Sequence, residues 1–333
     1  MFERFWVAHK MDPPNSPAQP PPILLVVGPT ASGKTALGIA LARALDAEIV
    51  NVDSVQLYRR LDIGSAKPSA EERAAVRHHL VDVVEPDARY DAASYVRDAD
   101  RAIADCATRG RRVVVVGGTG LYARALVRGL ARDLASDPAL RKSLNERAAR
   151  GPDELARMHE ELSTVDPTYA SKIAKSDPIR IVRALEVFAL TKTPISEHHA
   201  RHAAEPPRYR ALWLGIDSTR QELAPKIAER AEAMLAAGWI DEVRGIIADF
   251  GPEIRALDSV GYADVRRFLL EGRADRAALL GEVVRSTLAL VKRQRTWFRG
   301  EDGVEWASRE AHQSDERINR VRAFFEGALE ARP

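Results

Sequence analysis

Two glycines five positions apart precede a lysine and a hydroxyl residue in the run Gly28-Pro29-Thr30-Ala31-Ser32-Gly33-Lys34-Thr35. Glycines at those positions let backbone N–H groups turn inward onto phosphate oxygens, and a helix starting there adds the positive end of its dipole. Lys34 can then neutralise terminal phosphates, and the Thr35 hydroxyl can ligate Mg2+. The run follows the apolar stretch Ile23–Val27 and precedes Ala/Leu-rich Thr35–Leu45, the strand–loop–helix setting this chemistry needs. The spacing calls for a di- or triphosphate and does not say which. A carboxylate, Asp53, closes a second apolar run after Ile49-Val50-Asn51-Val52, and Gly117-Gly118-Thr119-Gly120 closes a third. An acid in Asp53's position can ligate a metal, act as base on an acceptor, or cap a helix.

The elements that must position these residues follow from periodicity. Ile23–Val27, Glu48–Val52, Arg112–Val116 and Ala211–Ile216 read as strands. They alternate with helical stretches, which argues for a parallel α/β sheet. Ligands bind such sheets at the strands' carboxyl ends, so Gly28, Asp53 and Thr119 should converge on one crevice. Leu140–Ala149, Pro152–Leu162 and Pro178–Leu190 read as helices with no strand among them, as do Arg220–Ala237, Asp241–Phe250, Tyr262–Glu271 and Arg276–Arg299. The expected organisation is a Pro-rich tail over 1–22, a first core segment over 23–137, a helical insertion over 138–203 acting as a lid, and a second core segment over 204–333. The tail lacks the pattern of a signal peptide and is expected to be disordered, with Met11 a candidate start.

Composition excludes several classes. With 333 residues, 45% of them hydrophobic and 29% charged, the chain can bury a core and is neither disordered overall nor fibrous. No apolar run approaches the ~20 residues of a membrane span. The lone Cys106 excludes an internal disulfide and a thiolate cage, fits a reducing cytoplasm, and is expected to pack in a helix. His198, His199 and His202 have no carboxylate in register and are expected to be a solvent-exposed cluster. Net charge is only +2, yet Arg285–Arg299 holds five basic residues and no acid, and Lys172–Arg210 holds eight against four. Basic islands within a balanced total suggest a local anionic partner.

The ordered motifs resemble the tRNA dimethylallyltransferases (tRNA isopentenyltransferases) of bacterial type. They comprise the phosphate loop, Asp53-Ser54-Val55-Gln56-Leu57-Tyr58, Asp62-Ile63-Gly64-Ser65-Ala66-Lys67-Pro68, His78-His79-Leu80-Val81-Asp82, and Gly117-Gly118-Thr119-Gly120-Leu121-Tyr122. Asp177-Pro178 with Arg180, Arg183-Ala184-Leu185-Glu186-Val187, Val260-Gly261-Tyr262 and Lys292-Arg293-Gln294 complete the set. The resemblance implies a P-loop NTPase-like parallel sheet with flanking helices and an inserted all-helical subdomain. It also implies transfer of a dimethylallyl group from its diphosphate to N6 of the adenosine 3′ of a tRNA anticodon. Gly28, Pro29, Thr30, Ala31, Ser32, Gly33, Lys34 and Thr35 would then hold the diphosphate or a nucleotide such as ATP, with Mg2+ at Thr35.

In that family's pattern Asp53 is the general base, Thr119 the second active-site residue, and Arg230 a diphosphate ligand alongside Lys34. A surface pair with Glu222 or Glu229 is the bland alternative for Arg230. The implied tRNA contacts are Asp53, Ser54, Val55, Gln56, Thr119, Arg141, Ile179, Arg180, Ile181, Val182, Arg183, Val260, Gly261, Tyr262, Lys292, Arg293, Gln294 and Arg295. The expected partners are a tRNA anticodon stem-loop and dimethylallyl diphosphate, with no membrane; the expected state is a cytoplasmic monomer. Departures occur at Ala263-Asp264, at Asp258-Ser259 and at Leu288, where the family often carries basic residues. The rival readings are a small-molecule kinase using ATP, with Asp53 activating a hydroxyl, and an RNA-binding NTPase switch.

Overall fold

Residues 20–131 and 134–327 are described in a computed structural model. Most of the tail expected over 1–22, residues 1–19, and the last six residues of the second core segment lie outside them. The chain divides into two compact units, one of residues up to Val127 and from Arg208 onward, the other Arg128–Pro207. The second is wider on both sides than the 138–203 stretch read as an insertion.

In chain order the first part holds β1 (Ile23–Val27), α1 (Lys34–Leu45), β2 (Ala47–Asn51), α2 (Ala70–Ala75), β3 (His78–His79), α3 (Ala92–Thr108), β4 (Arg112–Gly117) and α4 (Gly120–Arg128). The helical unit holds α5 (Pro138–Ala148), α6 (Pro152–Val165), α7 (Pro167–Ala170), α8 (Pro178–Thr191) and α9 (Ile195–Ala203). After it come β5 (Ala211–Ile216), α10 (Arg220–Ala236), α11 (Trp239–Phe250), α12 (Tyr262–Leu270), α13 (Arg276–Arg299), β6 (Val304–Ala307), α14 (Arg309–His312) and α15 (Asp315–Phe325).

The six strands form one parallel sheet in the order β3-β2-β4-β1-β5-β6. Ile23–Val27 is buried throughout because both sheet faces are covered, which is why the run reads as continuously apolar. Alternate side chains go to opposite faces. Ile23, Leu25, Val27, Val113 and Val115 pack with α3, α4 and α11–α13, while Leu24, Val26, Val114 and Val116 pack with α1 and α15. The order β2-β4-β1 puts three strand ends side by side, with Val27 opposite Gly117 and Asn51 opposite Val116. The turns carrying Gly28, Asp53 and Thr119 therefore leave the same edge.

Two strands and several helices add to the expected set. β3 has only two residues, both histidine, too short for a period to register; β6 lies at the sheet's edge with its side chains half-buried. α3 is the largest addition, and its inward face is Tyr95, Ala99, Ile103 and Cys106, a helical spacing. Cys106 is buried there as expected, against Glu48 and His79.

The helical unit is organised around a buried carboxylate. Asp137, Asp166 and Asp177 cap α5, α7 and α8, each followed by proline at the first helical position. Met158, Leu162, Ile181, Val182 and Val187 form the core. Glu186, fully buried, accepts from Arg141 Nη2 at 2.8 Å, Arg183 Nη1 at 2.7 Å and the Asp137 N–H at 3.0 Å. Burial alone would raise its pKa, but the two guanidiniums hold it below the ordinary value. Of the residues expected to contact tRNA, Ile181 and Val182 face the core, and Arg141 and Arg183 pair with Glu186 while their guanidiniums stay partly exposed. Of the 179–183 run, Ile179, 79% exposed, and Arg180, whose guanidinium pairs with Asp177 at 3.2 Å, are the exposed residues.

Glu186→Ala would leave two guanidiniums without their buried partner and is expected to cost about 3–5 kcal/mol in urea unfolding. A loss below about 1 kcal/mol would show the network to be dispensable. Because the carboxyl pKa is depressed by folding, its stabilisation is present above the unfolded value and is lost as pH falls through the folded one. Of the three histidines expected as an exposed cluster, only His199 is exposed. His198 is buried with its Nε2 3.3 Å from Thr191 Oγ1, and His202 Nε2 lies 3.2 Å from the Gly129 carbonyl.

Candidate active site

The loop between β1 and α1 has the backbone an anion cradle requires. Gly33 caps α1 at φ 87°, a left-handed conformation that glycine adopts without strain, and Ala31 takes φ 63°. No side chain caps α1 and no acid sits in its first turn. Its first N–H groups thus lack an intrahelical partner and face a positive dipole end, a ready site for a polyanion. Ser32 Oγ is buried with no hydrogen-bond partner among the described residues. Lys34 Nζ donates to the Pro29 carbonyl at 2.6 Å, holding the ammonium across the loop. Burial pushes the Lys34 pKa down to about 8; Asp53 pulls it up and Arg230 adds to the depression.

Asp53 and Thr119 meet on adjacent strand ends. Asp53 Oδ1 accepts from the Val55 N–H at 2.9 Å and the Gln56 N–H at 3.3 Å, so one oxygen caps the turn over residues 54–57. Its other oxygen has no hydrogen bond among the described residues. The capping role and a chemical one thus coexist on the same carboxylate. Thr119 Oγ1 accepts from the Ser54 N–H at 2.9 Å and lies 3.2 Å from Ser54 Oγ. The turn itself is tied back by the Thr119 N–H on the Val52 carbonyl, 3.1 Å.

A cavity of about 810 Å³ collects these groups. Thr30, Ala31, Gly33, Lys34 and Thr35 line it with Asp53, Ser54, Val55, Gln56, Thr119, Arg230, Val260 and Gln294. Gly28, Pro29 and Ser32 support the loop from outside that lining. Arg230 makes no ion pair or hydrogen bond among the described residues, and burial lowers its pKa while Asp53 raises it. The surface-pair alternative for Arg230 is thereby excluded. Lys34 and Arg230 face one carboxylate, so the cavity has a local excess of positive charge and an apolar wall of Ile227, Ala231, Met234, Trp239, Val283 and Leu290. Leu288, one of the departures, packs with Leu223, Ile227, Val291 and loop residue Ala31.

Tyr262 and Gly261, expected as RNA contacts, are buried. Tyr262 OH donates to Glu242 Oε1 at 2.7 Å, and Glu242 Oε2 accepts from the N–H groups of Asp62 and Ile63 at 2.9 and 2.7 Å. A Cβ on Gly64 or Gly261 would collide with Trp239. The Gly-Tyr pair thus seats the 62–68 loop, which Gln56 Nε2 also holds through the Ser65 and Ala66 carbonyls at 3.1 and 3.0 Å. Lys67, nearly fully buried, pairs with Asp62 and Asp82 in the same loop region. Glu242, Trp239 and Lys67 were not among the expected residues. Lys67 stands in the quoted 62–68 motif without a role given to it, whereas no spacing marks Glu242, whose backbone partners lie up to 180 positions away.

Gln294 has two backbone partners within the chain. Its Oε1 accepts from the Thr30 N–H at 2.9 Å and its Nε2 donates to the Gly118 carbonyl at 3.1 Å. It bridges two loops at the cavity's edge. Lys292 and Arg293, on the same helix α13, are exposed, and Arg295 is half-buried; none of the three lines the cavity.

The family model described as "IPP transferase" matches residues 56–301. A tRNA dimethylallyltransferase of Anaeromyxobacter dehalogenans (strain 2CP-C) is 47% identical over 284 residues, 85% of this chain and 94% of that protein. Among solved structures, a tRNA isopentenylpyrophosphate transferase of Bacillus halodurans superposes with TM-score 0.67 at 29% identity, covering 92% of this chain and 97% of the other. A eukaryotic dimethylallyltransferase acting on tRNA matches with TM-score 0.75 at 22% identity, over 94% of this chain and 81% of that one, and attests the fold alone.

Proposed function

The chain belongs to the IPP transferase family, and from that premise we infer that it is a tRNA dimethylallyltransferase. It moves a dimethylallyl group from dimethylallyl diphosphate to N6 of the adenosine at tRNA position 37, 3′ of the anticodon, and releases diphosphate. The observation that carries this reading is one cavity joining an anion cradle, an apolar wall and a half-free carboxylate. A kinase would use the cradle and the carboxylate but not the apolar wall.

We propose the following division of labour. The diphosphate sits on the loop amides with Lys34 and Arg230, whose charges oppose the negative charge growing as the allylic C–O bond breaks. The electron pair leaves with diphosphate, N6 forms the new C–N bond, and its proton passes to the free oxygen of Asp53. Adenine N6 is a weak nucleophile, so the proton leaves late, when the nitrogen has become cationic and a carboxylate suffices. Thr119 accepts from the Ser54 N–H, and its hydroxyl proton, donated to Ser54 Oγ in the free protein, turns toward the donor's bridging oxygen when substrate binds. Thr35 and Asp53 bring a hydroxyl and a carboxylate into the same cavity, hard oxygens of the kind that suit Mg2+ beside a substrate diphosphate. Thr35 would hold that ion, which when bound supplies further neutralisation of the leaving group.

The base must leave the anticodon-loop stack to reach this floor, at a cost of a few kcal/mol. We propose that Lys292 and Arg293, exposed on α13, contact RNA phosphates of the anticodon stem-loop, and that the enzyme acts in the cytoplasm as a monomer. Among the described residues no helix is long and apolar enough to cross a membrane. Replacing Lys292 and Arg293 together by glutamine is expected to weaken stem-loop binding and to flatten its log–log salt slope by about 1.4–1.8. An unchanged slope would return that face to bulk solvent.

The test of the function itself is intact-mass analysis of an anticodon stem-loop RNA with adenosines at and after the last anticodon position. It is incubated with Mg2+ and either dimethylallyl diphosphate or ATP. A gain of one five-carbon unit in the first sample alone is expected. No gain on several such RNAs, with phosphate transfer from ATP to a small acceptor, would favour the kinase.

A further inference from the structure

We propose that Gln294 is a positioning residue for the transfer: its side-chain amide sets the separation between the donor-binding loop and the turn that carries Thr119. This inference rests on the transferase reading and adds to it a residue that need touch neither substrate.

The two backbone partners determine the amide's orientation. A backbone N–H can only donate and a carbonyl can only accept, so Thr30 must face Oε1 and Gly118 must face Nε2. Both bonds have ordinary lengths, 2.9 and 3.1 Å. A primary amide on a three-bond stem is the side chain that can satisfy both at once. Glutamate would repel the Gly118 carbonyl, and asparagine would fall short. Thr30 belongs to the loop on β1, whereas Gly118 directly precedes Thr119, whose hydroxyl holds the Ser54 N–H next to Asp53. The bridge therefore runs from the donor side of the cavity to the acceptor side.

The surroundings keep this bridge in register. A Cβ on Gly118 would collide with the Gln294 amide, so the glycine is what lets the side chain reach the carbonyl. Three residues on, Trp297 packs so closely on Gly120 that a Cβ there would strike the indole. Arg124 of α4 lies over the same indole at 4.6 Å and pairs with buried Glu301 at 2.6 Å. Successive turns of α13 thus hold the backbone on either side of Thr119. Near-attack geometry tolerates little error, and a displacement on the order of 1 Å costs about 100-fold in rate.

Gln294→Met retains length and helix preference and removes both hydrogen bonds. Gly118→Ala, at a position without a positive φ, removes the bridge from the other end by displacing the amide. Each variant is expected to lower kcat by about 10- to 100-fold. Affinity for inorganic diphosphate, measured by calorimetry without RNA, should stay within about threefold of wild type. The double variant should be about as slow as either single one, because both break one linkage.

Three results would overturn the proposal. One is kcat within about twofold of wild type in Gln294→Met. Another is loss of diphosphate affinity in proportion to kcat together with a lowered unfolding midpoint, which would mean general loosening. The third is multiplicative losses in the double variant. If wild type itself transfers no prenyl group, the failure lies in the transferase reading; an active wild type with an indifferent Gln294→Met variant refutes only the role of Gln294.

Discussion

Asp53→Asn is expected to slow prenyl transfer by about 10²–10⁴-fold while stem-loop RNA still binds within a few-fold of wild type. The asparagine carbonyl can keep accepting from Val55 and Gln56, so the turn survives and only the proton acceptor is lost. Removing one negative charge beside Lys34 and Arg230 should leave inorganic diphosphate binding equal or tighter, since both cations feel Asp53. The expected signature is therefore a collapse of kcat with no rise in the donor's KM. Near-normal turnover would remove Asp53 from the chemistry. A loss of diphosphate affinity that appears only with Mg2+ present would instead make Asp53 a metal holder. Asp53→Ala adds loss of the cap, about 1 kcal/mol of stability, and is the less informative variant.

Lys34→Met should lower kcat/KM for the donor by about 10²–10³-fold, the loss expected on deleting one preorganised charge at a developing anion. RNA affinity should not move. The pH dependence supplies an independent check. Burial holds the free protein's Lys34 near a pKa of about 8, so the group is increasingly neutral above that pH. A bound diphosphate favours the ammonium form and raises the pKa again, which means binding takes up a proton in alkaline solution. Wild-type affinity for inorganic diphosphate is expected to fall toward tenfold per pH unit above about pH 8. The ligand's own ionisation is common to both proteins, so the ratio of wild-type to Lys34→Met affinity isolates the lysine. A ratio constant from pH 7 to 9.5 would contradict a depressed Lys34.

The phosphate cradle was legible in the sequence because its chemistry is local. Glycine at 28 and 33, the lysine and the hydroxyl need only follow a strand and start a helix, and the apolar runs around them say that they do. The parallel sheet was legible for a related reason: strands buried on both faces must be apolar at every position, as β1 is. Asp53 and Thr119 could be singled out because each directly follows such a run, and ligand sites gather at strand ends.

Tertiary structure alone decided which polar and basic residues are available. Arg180 and Arg183 are three residues apart in one helix, yet one is exposed and the other holds a buried carboxylate. Tyr262 shares a motif with cavity-lining Val260, but its hydroxyl belongs to Glu242. Gln294 stands beside Lys292 and Arg293, and a turn of less than a full helix pitch aims it at two backbone groups 264 and 176 positions away. Periodicity and spacing carry information over a few residues, whereas a hydrogen bond's energy depends on distance in space. The sequence by itself therefore determined the cradle, the sheet and the edge where catalysis belongs. Which side chains face the substrates and which hold the walls in place follows from long-range packing.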